Sequence, residues 1–424
     1  MKAARPHRRL ALILSGGGAR GAYETGVVWY LFDELTRLRG APPRVDILCG
    51  TSVGAINSAY LAAHLSDPAL GVRRLVDVWS SMRFDDVLGF GVRQAISLPR
   101  VLLGGGNGSG IFDVSPMSSL VEREIPWQAI TRTMKEGRLS ALSVSTTEVA
   151  TGRTVIFMQT GPHTALPTRA PPRTLIRASR IGPEHALASA AIPLLFPPVK
   201  LNGQLYVDGG VRQNTPIAPA LRLGATHVLV VGTSRLVRGV AHTTPDVQAP
   251  SATFLVGKIL NALLLDHLDN DLGTVNLLNN LLDSGGQAFG ESFVPALNQV
   301  AATRGGHRFN RIETLVVRPT ESIGAIAGEF IRKGRMRGSS LASRQLLRLL
   351  EVGVGDDADL ASYLLFDGGF ARRLIELGRS DAHARRAELL DFFGAAEDDA
   401  PPEGSESGGP AGSSGWTLPP PAVG

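Results

Sequence analysis

The stretch Cys49-Gly50-Thr51-Ser52-Val53-Gly54-Ala55-Ile56 limits what this chain can fold into more than any other. The apolar run Val45 to Cys49 reads as a short strand. The small and apolar residues from Ser52 to Leu61 suit a buried helix. One abrupt turn of Gly-x-Ser-x-Gly type joins them. Such a turn holds its serine in a strained backbone conformation, with the hydroxyl exposed at the carboxyl end of a strand. Gly50 and Gly54 flank Ser52 because a side chain there would collide with the neighbouring strand or helix. The helix that begins at the serine points its amide dipoles at the site and favours developing negative charge. A chain with 49 glycines also produces this pattern by chance. The weight therefore rests on the strand–turn–helix setting and on the other motifs.

That setting recurs along the chain. Leu10 to Leu14 is an apolar strand that runs into Ser15-Gly16-Gly17-Gly18-Ala19-Arg20-Gly21 and then a helix from Ala22 to Leu38. Leu139 to Glu148 and Thr154 to Gln159 read as strands joined by a turn at Thr151-Gly152-Arg153. Gln204 to Val207, Thr226 to Val231 and Arg311 to Arg318 are further strands. Helical patterns cover Glu184 to Ala191, Thr253 to Leu282, Ile323 to Gly334, Leu341 to Val352 and, with breaks, Leu360 to Phe393. This alternation predicts an α/β fold: three layers, a mostly parallel sheet with helices on both faces, and a helical C-terminal extension. The expected divisions are a core over 8–235, a helical segment and closing strand of the same domain over 236–320, the extension over 321–393 and a disordered tail over 394–424. The run Gly104 to Gly110 reads as a surface loop or a lid.

Composition excludes several classes. Cys49 is the only cysteine, so there is no internal disulfide and no thiolate metal cluster. No apolar run reaches the length needed to cross a bilayer. Arg5, Arg8 and Arg9 before Leu10 to Leu14 loosely imitate a secretion signal, but the apolar part is too short. The net charge of +5 and pI near 9.6 favour anionic surfaces such as phospholipid headgroups. No nucleic-acid motif accompanies the basic clusters, so no nucleic-acid partner is expected. The expected location is cytoplasmic or peripheral on the inner membrane face.

An acyl-transferring serine needs a base, an oxyanion hole and exclusion of water. Gly16, Gly17 and Gly18 leave backbone amides uncovered ahead of a helix, which suits an oxyanion hole, and Arg20 adds positive charge nearby. The same loop spells Gly-x-Gly-x-x-Gly through Gly16, Gly18 and Gly21, the dinucleotide fingerprint. That fingerprint expects an acid at the end of the second strand, where this chain has Thr51-Ser52; Asp46 stands at the strand's beginning. None of the nine histidines sits in a setting that marks a catalytic partner. Two aspartates stand in Asp-Gly-Gly. Asp208, followed by Gly209 and Gly210, ends a strand, where sites form in open sheets; Asp367 reads as a break between two helices.

On these residues the chain resembles the patatin-like phospholipase family in its bacterial form. Gly16-Gly17-Gly18-Ala19-Arg20-Gly21 stands as the oxyanion loop, Gly50-Thr51-Ser52-Val53-Gly54 as the nucleophile elbow and Asp208-Gly209-Gly210 as the end of a dyad. Ala188-Ser189-Ala190-Ala191-Ile192-Pro193, followed by Phe196-Pro197-Pro198, is similar to the stretch this family places ahead of its aspartate. The resemblance covers Leu10 to Ser234 and implies a Ser52–Asp208 dyad without histidine. It further implies lipid ester hydrolysis through an acyl-enzyme, with no metal or cofactor, at a peripheral membrane surface. The rivals are a nucleotide-binding regulatory or redox protein and a catalytically idle lipid-binding scaffold.

Overall fold

The computed structural model describes residues 8–89, 112–235, 268–303, 308–334 and 359–394. The glycine run 104–110, the leucine-rich residues 254–265, the helical pattern 341–352 and the tail 395–424 lie outside the described residues.

Five strands form the parallel centre of the sheet: β1 (Leu10–Leu14), β2 (Ile47–Thr51), β3 (Ala141–Glu148), β8 (His227–Val231) and β9 (Glu313–Val317). Their order is β3-β2-β1-β8-β9. All five residues of β1 are buried, because it lies between two strands and under helices on both faces. Leu10, Leu12 and Leu14 enter one apolar cluster, while Ala11 and Ile13 enter another. This is the period of two expected when side chains alternate across a sheet. The first cluster holds α1 (Gly21–Trp29), α2 (Val53–His64) and α3 (Pro68–Ser81); the second holds the helix Ile217–Arg222 and part of Leu268–Phe289. The molecule is thus three-layered, as the alternation of elements predicts.

Beyond β3 the sheet becomes mixed. β4 (Thr154–Thr160) returns antiparallel to β3 through the expected turn, and β5 (Thr174–Ala178) pairs parallel with β4. β5 is an edge strand that the sequence pattern does not mark, since its residues are half-exposed and Arg177 interrupts the apolar run. β6 (Val199–Leu201) and β7 (Gln204–Asp208) form a hairpin whose second strand pairs antiparallel with the end of β3. Several helices also go beyond those read from the sequence, among them Pro68–Ser81, Ser115–Glu124, Trp127–Lys135, Ile217–Arg222 and Phe293–Thr303. The first has a legible start, with Pro68 in its first turn and the Asp67 carboxylate accepting from the Leu70 amide.

The helix α4 (Gly368–Ala384) lies across α1 at a crossing set by two glycines. A β-carbon on Gly26 would stand 2.1 Å from the Ile375 carbonyl oxygen, and one on Gly378 would stand 2.2 Å from that of Tyr23. The Tyr23 hydroxyl donates to Asp381 in the same interface. Asp367 caps α4, accepting from the Gly369 and Phe370 amides, and so breaks two helices as its sequence context suggests.

Between α1, α2 and α3 lies one fully buried acid. Glu24 accepts from Asn57 Nδ2, Asn57 also donates to the Gly21 carbonyl, and Trp79 Nε1 donates to Asn57 Oδ1. Burial raises the Glu24 pKa well above the usual carboxylate range, opposed by Asn57 and the Ser15 backbone.

Two stability measurements follow from these contacts. Ala at an ordinary helical glycine position adds about 1 kcal/mol of stability. Gly378→Ala should instead lose about 1–3 kcal/mol in denaturant titration, because the helices must separate. A gain in stability would refute the close crossing. For Glu24 the folded pKa lies above the unfolded one, so its stabilising contribution is complete below about pH 4.5 and declines as pH rises through the folded value. Glu24→Gln stays neutral. It should melt above the parent at pH 8, and the gap should close towards pH 5; a gap independent of pH would contradict the buried neutral acid.

Candidate active site

The site forms where two strands meet end to end. β3 pairs with β2 through Ala141 to Ser145, and with β7 through Thr146 to Glu148. β4 occupies the other edge of β3, so β2 and β7 share one edge. β2 runs parallel to β3 and β7 antiparallel, so they point at each other. Thr51 stands opposite Ser145, and Asp208 stands opposite Thr146. The residue after Thr51 is Ser52, and this geometry delivers it to Asp208.

Ser52 has φ 55 and ψ −130. Four described non-glycine residues have positive φ, and the other three are exposed; only Ser52 is buried in this state. Such a conformation persists where the surroundings over-determine it. Here the Ser52 amide donates to Ser189 Oγ at 2.9 Å, and that hydroxyl donates to the Ser145 carbonyl at 2.6 Å. The Ser52 carbonyl accepts from the Ala55 amide in the first turn of α2. Ser189 belongs to the stretch ahead of the aspartate, but nothing local in the sequence gives it this role.

The glycine loop after β1 is brought alongside by close backbone approach. A β-carbon on Gly54 would stand 2.2 Å from the Leu14 carbonyl oxygen, so the start of α2 abuts the end of β1. One on Gly16 would stand 3.0 Å from Ser52 Cβ. The three expected oxyanion-hole amides are not equivalent. The Gly16 amide donates to the Asn214 carbonyl at 3.3 Å, while those of Gly17 and Gly18 have no acceptor among the described residues. The pair at the entrance to α1, rather than all three, is placed to receive an anion.

Arg20 differs from its expected place. It is buried, its Nε donates to Ser362 Oγ at 2.8 Å, and its guanidinium lies 4.1 Å from the Tyr363 ring centroid. Its charge is engaged with the helix Asp359–Leu364. The Tyr363 carbonyl oxygen also lies 2.3 Å from where a β-carbon of Gly18 would be. A side chain at this position would strike the Tyr363 backbone, and the φ of 56° there also calls for glycine. At the remaining motif positions, Gly21 packs on Val53, Gly50 on the Gly54 backbone and Gly209 on the Ser145 backbone.

Asp208 is fully buried. Its amide donates to the Ala191 carbonyl, and its Oδ1 accepts from the Gly210 amide at 2.7 Å. Its Oδ2 is buried without a well-aligned hydrogen bond. Burial pushes the Asp208 pKa up to about 7, opposed by the neighbouring Ser52 side chain and the Gly210 amide. A carboxyl poised there, next to a strained serine and a pair of unengaged amides, has the parts of a nucleophilic acyl-transfer site. No histidine hydrogen-bonds to Ser52 or Asp208 among the described residues. His227 starts β8 at the far end of the sheet, beside Glu313. No described group of three His, Cys, Asp or Glu residues is arranged to hold a metal.

Comparison with known proteins identifies the family. Residues 12–221 match the family model described as Patatin-like phospholipase. The chain is 30% identical over 207 residues to a cGAMP-activated phospholipase of Pseudomonas aeruginosa (strain BWHPSA011 / Pa011), covering 48% of this chain and 53% of that protein. It is 28% identical over 229 residues to Uncharacterized protein YjjU of Escherichia coli (strain K12), covering 53% of this chain and 52% of that one. The chain thus spans about half the length of the curated relatives it matches. Human GIVD cytosolic phospholipase A2, solved in complex with methyl gamma-linolenyl fluorophosphonate, aligns with 93% of this chain and 60% of its own. Its TM-score of 0.42 and identity of 13% make that likeness too remote to carry an argument. Through residues 12–221, the chain belongs to the patatin-like phospholipase family.

Proposed function

We propose that the protein hydrolyses acyl esters of lipids, phospholipids or lysophospholipids, with Ser52 as nucleophile and Asp208 as its base. The observation that carries the reading is the end-on meeting of β2 and β7 along one edge of β3, which sets a buried carboxyl against the strained serine. Asp208 takes the Ser52 proton as Oγ attacks the ester carbonyl carbon. The oxyanion forms against the Gly17 and Gly18 amides, at the positive end of α1. Collapse of the tetrahedral species breaks the bond to the alcohol, which leaves with the proton held by Asp208. Water, deprotonated by Asp208, then attacks the acyl-enzyme, and the fatty acid is released as Ser52 recovers its proton. Residues of this chain supply every proton transfer. A lipid substrate lies at an interface, so peripheral membrane contact forms part of the reading. No helix among the described residues is long and apolar enough to cross a membrane.

Turnover of a fluorescent acyl ester by the purified protein tests the reading, and the name of the Pseudomonas relative makes it sensible to assay with and without cGAMP. Ser52→Ala should abolish turnover and fluorophosphonate labelling while the protein stays folded. Asp208→Asn should lose ~10²–10⁴-fold in kcat. Undiminished turnover in folded Ser52→Ala would sink the mechanism, and an inert parent under both conditions would favour the idle scaffold. The base must be ionised in the free enzyme. Log kcat/KM should therefore rise with pH and level off above an inflection near the Asp208 value of about 7. A flat profile from pH 5 to 9 would remove Asp208 from that role.

A further inference from the structure

A large cavity opens at the opposite end of the strands from Ser52. Its lining includes Arg9, Asp46, Ser140, Thr226 and Ile312. Each of these immediately precedes one of the five parallel strands, β1, β2, β3, β8 and β9 in turn. The cavity therefore lies under the amino ends of the strands, whereas Ser52 follows a carboxyl end. A five-residue strand spans about 17 Å, which sets the scale of the separation. The volume is about 1520 Å³, larger than a site for a small metabolite.

The far wall is a helical hairpin, Leu268–Phe289 and Phe293–Thr303, held in place by two asparagines. Asn279 donates to the Ile312 carbonyl and accepts from its amide, at 2.8 and 2.9 Å. Asn298 does the same with Phe309, at 2.8 and 2.6 Å. Each side-chain amide imitates a strand partner and clips the hairpin to the segment entering β9. Leu278 and Val294 of the hairpin, with Leu221 and Phe309, make part of the wall apolar.

The charge in this cavity is one-sided. Arg9, Arg44, Arg222 and Arg308 line it, against the single carboxylate of Asp46. That carboxylate already accepts from the Leu10 amide and from Arg44 Nε. Arg9 donates to Thr164 Oγ1 and reaches Gly224, which follows Arg222 and Leu223 in the chain. Burial lowers the pKa of both Arg9 and Arg222; for Arg9 the Asp46 carboxylate opposes this and Arg44 adds to it. Several guanidinium groups lining one space, some of them partly buried, offer the planar donor forks that suit phosphate oxygens.

We propose that this cavity binds a small phosphate ester with an apolar body, at a site separate from Ser52. The shared chemistry, two or more phosphate charges joined to an apolar or aromatic group, belongs both to nucleotides and to phospholipid headgroups with their chains. The proposal stands on the cavity and its arginines and does not depend on the hydrolase reading.

Isothermal titration of the full chain with three probes tests it: pyrophosphate, a cyclic dinucleotide and dihexanoyl phosphatidic acid. Saturable binding of one organophosphate per chain is expected, and which of the two binds identifies the source. Affinity should fall about tenfold in Arg9→Gln and again in Arg308→Gln. It should also fall with added salt and stay unchanged in Ser52→Ala. Arg308 is exposed, so its variant keeps the test valid if Arg9→Gln fails to fold. Three results would overturn the proposal: no saturable binding of either organophosphate up to about 1 mM, binding indifferent to Arg308→Gln, or binding lost in Ser52→Ala. Binding of pyrophosphate alone would leave an anion site without its apolar half and overturn the ligand class.

Discussion

One edge of β3 is shared by two strands that run towards each other, and the carboxyl of Asp208 is buried where they meet. The arrangement is costly in two ways. The carboxyl loses its water, and the serine that follows the opposing strand takes a backbone conformation that ordinary residues avoid. Both costs fall at one junction, and the surrounding structure is built to hold it. Ser189 ties the Ser52 amide to the β3 carbonyl, and the Ala191 carbonyl accepts from Asp208 itself. The stretch ahead of β7 thus braces both halves of the junction.

What makes such a junction tolerable is the apolar mass on either side of the sheet. β1 contributes to a separate buried cluster on each face, and the larger cluster extends through α1, α2 and α3 to the C-terminal helices. A site assembled from strand ends and helix starts inherits the rigidity of those layers. Strain stored at a few residues is then small against the burial around it. The Glu24–Asn57–Trp79 network tightens the same region by joining three helices, one of which starts at Ser52.

Much of this could be read from the chain alone, and the parts that could not share a physical reason. The central strands announce themselves because a strand buried on both faces is apolar without interruption, as Leu10 to Leu14 is. The turn at Gly50 to Gly54 announces itself because few residues tolerate such close backbone approach. β5 is silent, since an edge strand is half solvated and carries Arg177 without penalty. The roles of Ser189 and Arg20 are silent for another reason. Their partners lie 137 and 342 residues away, and no local period encodes a contact at that separation. Nor does the sequence distinguish the Gly16 amide from its neighbours; only the fold brings the Asn214 carbonyl to it.

The contact between the glycine loop and the helix Asp359–Leu364 has a consequence for the order in which the protein is made. The loop is translated more than three hundred residues before Ser362 and Tyr363, against which Arg20 and Gly18 are set. Once Asp208 is made and before Ser362 is, the growing polypeptide carries the serine, the aspartate and the loop, but not the surface on which the loop rests. A chain released before that point would keep the Ser189 and Ala191 contacts but lack those of Arg20 and Gly18. The loop therefore reaches its final setting only once the helix Asp359–Leu364 has been made.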